Sequence, residues 1–287
     1  MVLLSNTPSD SDYAKIYQQD SNRGQYQKYL LESRKNKNNL ISEFVTQLPH
    51  NLYLGEDKWE CALCTFSYLH SWYDIEADEC FIKITTTTDS DEPNNTGSVS
   101  SLTKTIGLES GHYGDNEDDF ITKINTELEK ENVSSKFDYS KLTNKVTLTT
   151  KNKECVEMSP DLASLLGFSH TTYAHTDFHL SFGLSNKTHI ATNMIDFNLK
   201  NHNLFIYCDI IENTLLGGYY HPLLAIVPSK KSNFNTYVTN TYIDKHYMTL
   251  NSNTLSRIKI RICDDQDKNI KFNGGRTALK LHFRQKK

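Results

Sequence analysis

From Ser42 onward, apolar and polar residues alternate with a period of two through most of the chain, and that period predicts strands. Residues 254–263 set Ile258, Ile260 and Ile262 against Arg257, Lys259 and Arg261. Residues 277–283 set Leu279, Leu281 and Phe283 against Ala278, Lys280 and His282. Residues 58–72 (KWECALCTFSYLHSW) place apolar side chains on both alternation faces, which predicts a strand covered on both sides. Residues 80–88, 203–211 and 222–227 read as further strands, the last two joined through a Gly217-Gly218 turn. A hairpin is expected where residues 136–141 and 145–150 flank Thr143-Asn144. Residues 89–111 read as a turn-rich loop.

The period changes to that of a helix in two places. Residues 116–131 carry one apolar stripe of Phe120, Ile121, Ile124 and Leu128, with Asp115 as the expected cap and Asp119 set to pair with Lys123. Near residue 160, Ser159 is the expected cap, Pro160 takes the first position, Leu162, Leu165 and Leu166 face inward, and Gly167 ends the turn. About eight or nine strands with two short inserted helices predict an all-β protein. Wide strand spacing with long connections favours a single jelly-roll β-sandwich over an up-and-down barrel. One domain is expected over residues 41–287. Residues 1–40 lack sustained periodicity and read as a flexible, basic-leaning N-terminal arm, dispensable for folding, with Arg23, Lys28, Arg34, Lys35 and Lys37.

Composition narrows the function. The chain has 287 residues with 31 Lys+Arg against 35 Asp+Glu, so no global basic field points to nucleic acid. Charge is uneven, however. Residues 74–119 hold twelve acids against Lys83 and Lys104, a balance of −10, while residues 254–287 hold ten Lys/Arg against three Asp, a balance of +7. The start, MVLLSNTPSD, has no basic region ahead of its apolar residues and is not expected to act as a secretory signal, so the six cysteines are expected as reduced thiols.

Candidate chemistry is sparse. Cys61 and Cys64 match C-x-x-C, but inside a strand i and i+3 point to opposite faces and cannot share one ion without a bulge. His175, Asp177 and His179 would project from one face of a strand and, with His189, suit a cupin-like metal site; in a loop they are ordinary surface side chains. No phosphate-binding glycine loop, G-x-S-x-G or H-E-x-x-H motif occurs. No catalytic residue and no cofactor is expected.

The order of segments is more specific than any one of them. The series runs KWECALCTFSYLHSWYDI, ESGHYGDNEDDFITKIN, a hairpin, SPDLASLLGF, LFIYCDIIENTLLGG and PLLAIVP. HYMTL, TLSRIKIRICDD and IKFNGGRTALKLHFR complete it. Over roughly residues 48–284 this order resembles the minor capsid (penton) proteins of Polinton/Maverick elements and adintovirus-like viruses. Residues 1–40 and 169–200 depart from that pattern. The resemblance implies a single jelly-roll vertex subunit without enzymatic activity. It implies a homopentamer at each five-fold axis of an icosahedral virion, in contact with the double jelly-roll major capsid protein and assembled inside the host cell. In such a ring the expected subunit-interface aromatics are Trp72, Tyr73, Tyr219 and Tyr220. The basic residues of the arm are expected to face genome DNA or the major capsid protein. Two other readings stay open: a β-sandwich glycan-binding module using exposed Trp/Tyr platforms, and a cupin-like metalloenzyme.

Overall fold

The computed structural model describes residues 26–35, 38–88, 100–114, 116–151, 154–168, 180–182, 187–197, 201–229 and 234–286. The chain divides into two units, one drawn from residues 1–72 and 200–287, the other from residues 73–199. In chain order, the first unit opens with β1 (Tyr26–Glu32), β2 (Glu43–Tyr53) and β3 (Trp59–Leu69). The second unit follows with β4 (Phe81–Thr88), β5 (Ser100–Gly107), helix α1 (Glu117–Lys130), β6 (Lys136–Ser140) and β7 (Lys145–Thr150). It ends with β8 (Glu154–Met158), helix α2 (Pro160–Leu165), β9 (Leu180–Phe182) and β10 (Lys187–Ile190). The chain returns to the first unit through β11 (Asn203–Cys208), β12 (Thr214–Leu216), β13 (Tyr219–His221) and β14 (Leu223–Pro228). The last elements are β15 (Tyr237–Thr241), β16 (Met248–Thr249), β17 (Thr254–Cys263) and β18 (Ala278–Gln285).

Among the described residues the first unit has two large antiparallel sheets, ordered β1-β18-β3-β15 and β14-β11-β17-β2, with β16 also on β3, and a separate two-stranded pair, β12-β13. Setting aside the short β12, β13 and β16, its eight strands nest in pairs. The first pairs with the last, the second with the seventh, the third with the sixth and the fourth with the fifth. That nesting is one long hairpin rolled up on itself, which is a jelly roll. The fold is therefore all-β, and the roll expected from the sequence is present.

Period-two alternation fills its interior. Ile258, Ile260 and Ile262 of β17 meet Leu279, Leu281 and Phe283 of β18, all fully buried in one core with Leu204 and Ile206. The double-faced pattern of β3 has a more specific cause than cover on both sides. Lys280 pairs with Thr65 and Leu281 with Leu63, so Cys64 is an extra residue, a β-bulge. The bulge shifts the phase, and Cys61 and Leu63 before it join the same core as Phe66 and Tyr68 after it.

Two sequence expectations about domains are corrected. Residues 26–32 are not an arm: β1 pairs along its whole length with β18, Leu31 is buried, and Tyr29 packs edge-on to Phe283 at 5.1 Å between ring centroids. Ser33 then exchanges backbone and hydroxyl hydrogen bonds with Thr277. Nor do residues 41–287 make one domain, because residues 73–199 close a separate core of their own.

That second core lies between the sheets β5-β4-β8-β9 and β10-β7-β6 and the two helices. The α1 stripe of Phe120, Ile121, Ile124 and Leu128 is buried as its spacing predicts. Its cap is Asn116, whose side chain accepts from the Asp118 N–H at 3.1 Å; the expected cap Asp115 lies outside the described residues. Lys123 pairs with Glu127 and Glu109 instead of Asp119, which accepts from Asn116 Nδ2 at 2.8 Å. Pro160 opens α2 as expected, but Ser159 makes no cap bond there, its hydroxyl accepting from the Phe81 N–H at 3.2 Å. The expected loop over residues 89–111 contains β5, which pairs with β4 throughout; Leu102 is exposed and Ile106 buried, so little apolar signal marks it.

Gly167 and Gly217 both hold positive φ, +83° and +58°. A Cβ on Gly167 would stand 2.3 Å from the Asn193 carbonyl oxygen, whereas one on Gly217 meets nothing within 4 Å. Gly217→Ala is therefore expected to cost only the left-handed backbone penalty, about 1 kcal/mol. Gly167→Ala adds a backbone clash and is expected to cost about 3 kcal/mol. Urea unfolding of the full chain checks both, and equal costs would contradict the packing around Gly167.

Candidate functional site

One margin of the roll is left open by its topology. β14 pairs with β11 on one side only and is an edge of its sheet. Beside it a groove of about 380 Å³ opens between the two sheets, lined by Leu63, Leu224, Ile226, Tyr242 and Met248, with Asp244 and His246 as polar lining. Pro228 ends β14, as suits an edge strand that must not recruit indiscriminately.

Ahead of β14 stands a small tongue made by β12 and β13. Gly217 and Gly218 both have positive φ, the requirement of a two-residue hairpin turn. Leu215 faces Tyr220 and Leu216 faces Tyr219 across the pair. Leu215 is 61% exposed, Tyr219 74% and Tyr220 71%, so the tongue presents apolar surface that no described residue covers. A two-stranded hairpin alone is marginal in water. This one is tethered at His221, whose ring lies 5.7 Å from that of Tyr207, itself under the Arg261 guanidinium.

The structure separates the residues expected from sequence. Tyr219 and Tyr220 share the tongue. Trp72 does not join them: only 3% exposed, it stacks on Tyr68 at 5.7 Å and meets Phe272 edge-on at 5.6 Å. The expectation that Trp72 is an interface residue is corrected, because the turn bearing Phe272 folds back over the end of β3. Tyr73, its neighbour in sequence, is half-buried and belongs to the second unit. Lys28 sits on β1, while Arg34 is exposed in the 3-10 turn Ser33–Lys35. Arg23, Lys37, His175, Asp177 and His179 lie outside the described residues. His189 is on β10, where burial and Lys187 hold it below its ordinary pKa. Among the described residues no cluster of three metal-ligating side chains occurs.

The cysteines, His112, Asp74 and Glu154 are structural. All six cysteines are free thiols. Burial pushes Cys208 and Cys263 up to about 12 and Cys61 well above its usual value, so these sulfurs stay protonated and unreactive. His112 Nδ1 lies 2.9 Å from Asp74 Oδ2, but the same oxygen also accepts from the Tyr113 and Gly114 N–H groups at 2.8 Å. That pair clamps a loop. Glu154, buried, likewise accepts from the Ser134 N–H, the Ser135 N–H and the Ser135 hydroxyl.

Sequence reasoning missed the edge groove and a depression at the other sheet lined by Lys245, Lys280 and His282. The alternation of β18 puts Lys280 and His282 on the outward face, but nothing local says that Lys28 and Lys245 join them.

Truncating the two kinds of aromatic is expected to give opposite results. Trp72→Ala should destabilise the full chain by about 3–5 kcal/mol. The pair Tyr219→Ser and Tyr220→Ser should stay within about 0.5 kcal/mol per site, as for exposed side chains. Denaturant unfolding of the isolated protein measures both.

No protein-family model matches the chain. No curated protein matches it either. Among solved structures, the crystal structure of a selenomethionine-labelled mavirus penton protein is similar to this chain, with 13% sequence identity and a TM-score of 0.48. The likeness covers 91% of this chain and 100% of that one. Among the described residues, no helix is long and apolar enough to cross a membrane.

Proposed function

We propose that this chain is a minor capsid (penton) protein of a Polinton/Maverick or adintovirus-like virus. Five copies ring each five-fold vertex of an icosahedral virion and meet a double jelly-roll major capsid protein around them. The observation that carries this reading is the nested strand pairing of the first unit: a complete single jelly roll whose interior is filled by its own apolar side chains. Such a body works through its surface. The order of sequence segments, which resembles penton proteins, supports the same reading.

A closed ring repeats one heterologous contact, in which a patch on each subunit meets a different patch on the next. The tongue suits the projecting half of that contact. Leu215, Tyr219 and Tyr220 offer large, stiff apolar area at small entropic cost, the usual makings of an interface anchor. In this reading the chain has no catalytic role. Arg23, Lys28, Arg34, Lys35 and Lys37 are proposed to face the genome or the major capsid protein. The anchoring of β1 changes how that idea is tested, because removing residues 1–40 also strips a sheet strand.

Co-expression with the major capsid protein, followed by electron cryomicroscopy of the particles, tests the reading. Density for this chain at the five-fold vertices is expected, lost or sharply reduced in the Tyr219→Ser/Tyr220→Ser variant. Removing residues 1–25 should leave the isolated subunit folded while lowering its incorporation. Removing residues 1–40 should destabilise it, since Leu31 and Tyr29 leave the core. Particles whose vertices fill normally without this chain would overturn the proposal.

A further inference from the structure

The outer face of the β1-β18-β3-β15 sheet carries a cluster of basic side chains around a depression, and among them only Lys28 belongs to the set already proposed to face the genome or the major capsid protein. Lys28 stands opposite His282 across β1 and β18, Lys280 opposite Thr65 across β18 and β3, and Thr65 opposite Thr241 across β3 and β15. The bulge at Cys64 keeps these residues on one face. Lys245, from the segment after β15, joins them around a depression of about 300 Å³ that Cys64 and Tyr242 help to line.

The basic side chains here are unusual in their setting. Lys28, Lys245, Lys280 and His282 are each half-buried, although lysines ordinarily keep the ammonium group in open water. Three ammonium groups converging on a concave, partly desolvated surface concentrate positive potential. Nearby Glu60 is engaged by another cation. Glu60 takes Arg284 at 2.9 Å, and that guanidinium also stacks on the Tyr247 ring. Lys245 Nζ donates to the Ile243 carbonyl at 3.2 Å, and neither Lys245 nor Lys280 makes an ion pair among the described residues. The imidazole registers the field: burial first, then Lys245, Lys28 and Arg284, hold His282 below its ordinary pKa, with Nδ1 3.0 Å from the Tyr247 hydroxyl.

We propose that this depression is a binding site for a phosphate oxyanion, with Lys28, Lys245 and Lys280 as its cationic contacts and the Thr65 and Thr241 hydroxyls as neutral donors. Ammonium groups act as point charges toward phosphate, and three of them match a multiply charged tetrahedral group better than a single carboxylate. Free polyphosphate and a nucleic-acid backbone share this chemistry, and the site is open enough to admit either. The site shares Lys28 with the capsid reading but does not rest on it, since the test reads Lys245 and Lys280.

The test uses the full chain at low ionic strength. Inorganic tripolyphosphate is titrated by calorimetry, and a short fluorescein-labelled single-stranded DNA by anisotropy. At least one is expected to bind. The variant Lys245→Gln/Lys280→Gln should weaken that binding about tenfold or more. The control Arg257→Gln/Lys268→Gln, which removes the same charge from exposed positions elsewhere on the roll, should change it little. Tripolyphosphate should raise the His282 pKa, read by imidazole NMR, in the parent and the control but not in the double variant. If DNA binds, loss of the two lysines should lower the slope of log K against log salt by about 1.4. Binding of tripolyphosphate alone identifies free phosphate as the source, and DNA binding with that change in slope identifies the nucleic acid. Binding of neither, or equal weakening by the control pair, overturns the site.

Discussion

β18 lies between β1 and β3 in the roll, and its register decides both faces of the sheet at once. Side chains alternate strictly along it, so Leu279, Leu281 and Phe283 enter the core only in the register that sends Lys280 and His282 outward. A slip of one residue would bury Lys280 and His282 and expose Leu279, Leu281 and Phe283, an exchange no domain of ordinary stability survives. The Cys64 bulge pins that register, because only one alignment places an extra residue opposite Lys280 and Leu281. Core, edge groove and cationic depression all follow from this pairing.

Features set by near neighbours along the chain are legible from sequence alone. The alternation of β17 and β18, the α1 stripe and the hairpin at Thr143-Asn144 need only a few residues to declare themselves. The Gly217-Gly218 turn is legible for the same reason, but it joins the short strands β12 and β13, which the sequence reading did not separate from β11 and β14. What escapes depends on partners far along the chain. β1 carries a weak local pattern and becomes a strand because β18 offers a free edge. Trp72 resembles an interface aromatic until Phe272, brought back by the turn before β18, covers it. Lys28 and Lys245 gain meaning only once register puts them beside Lys280.

Charge is partitioned along the same division as the cores. The acidic residues 74–119 fall almost wholly in the inserted unit, and the basic residues 254–287 belong to the roll. In the insertion, acids serve local ends: Glu117, Asp118 and Asp119 sit in the first turn of α1, where the helix dipole favours them. On the roll, Lys259 and Arg261 of β17 meet Glu43 and Asp267, and Arg284 of β18 meets Glu60.

The placement of the inserted unit has a consequence for biosynthesis. Its hairpins and helices bring together residues that leave the ribosome within a short interval, while β1 must wait for β18, almost the whole length of translation later. The insertion is thus able to mature while the roll still lacks its last two strands. Until those strands emerge, β3 and β2 present open hydrogen-bonding edges, and the nascent roll is the stage at which the polypeptide most needs shielding from its own kind.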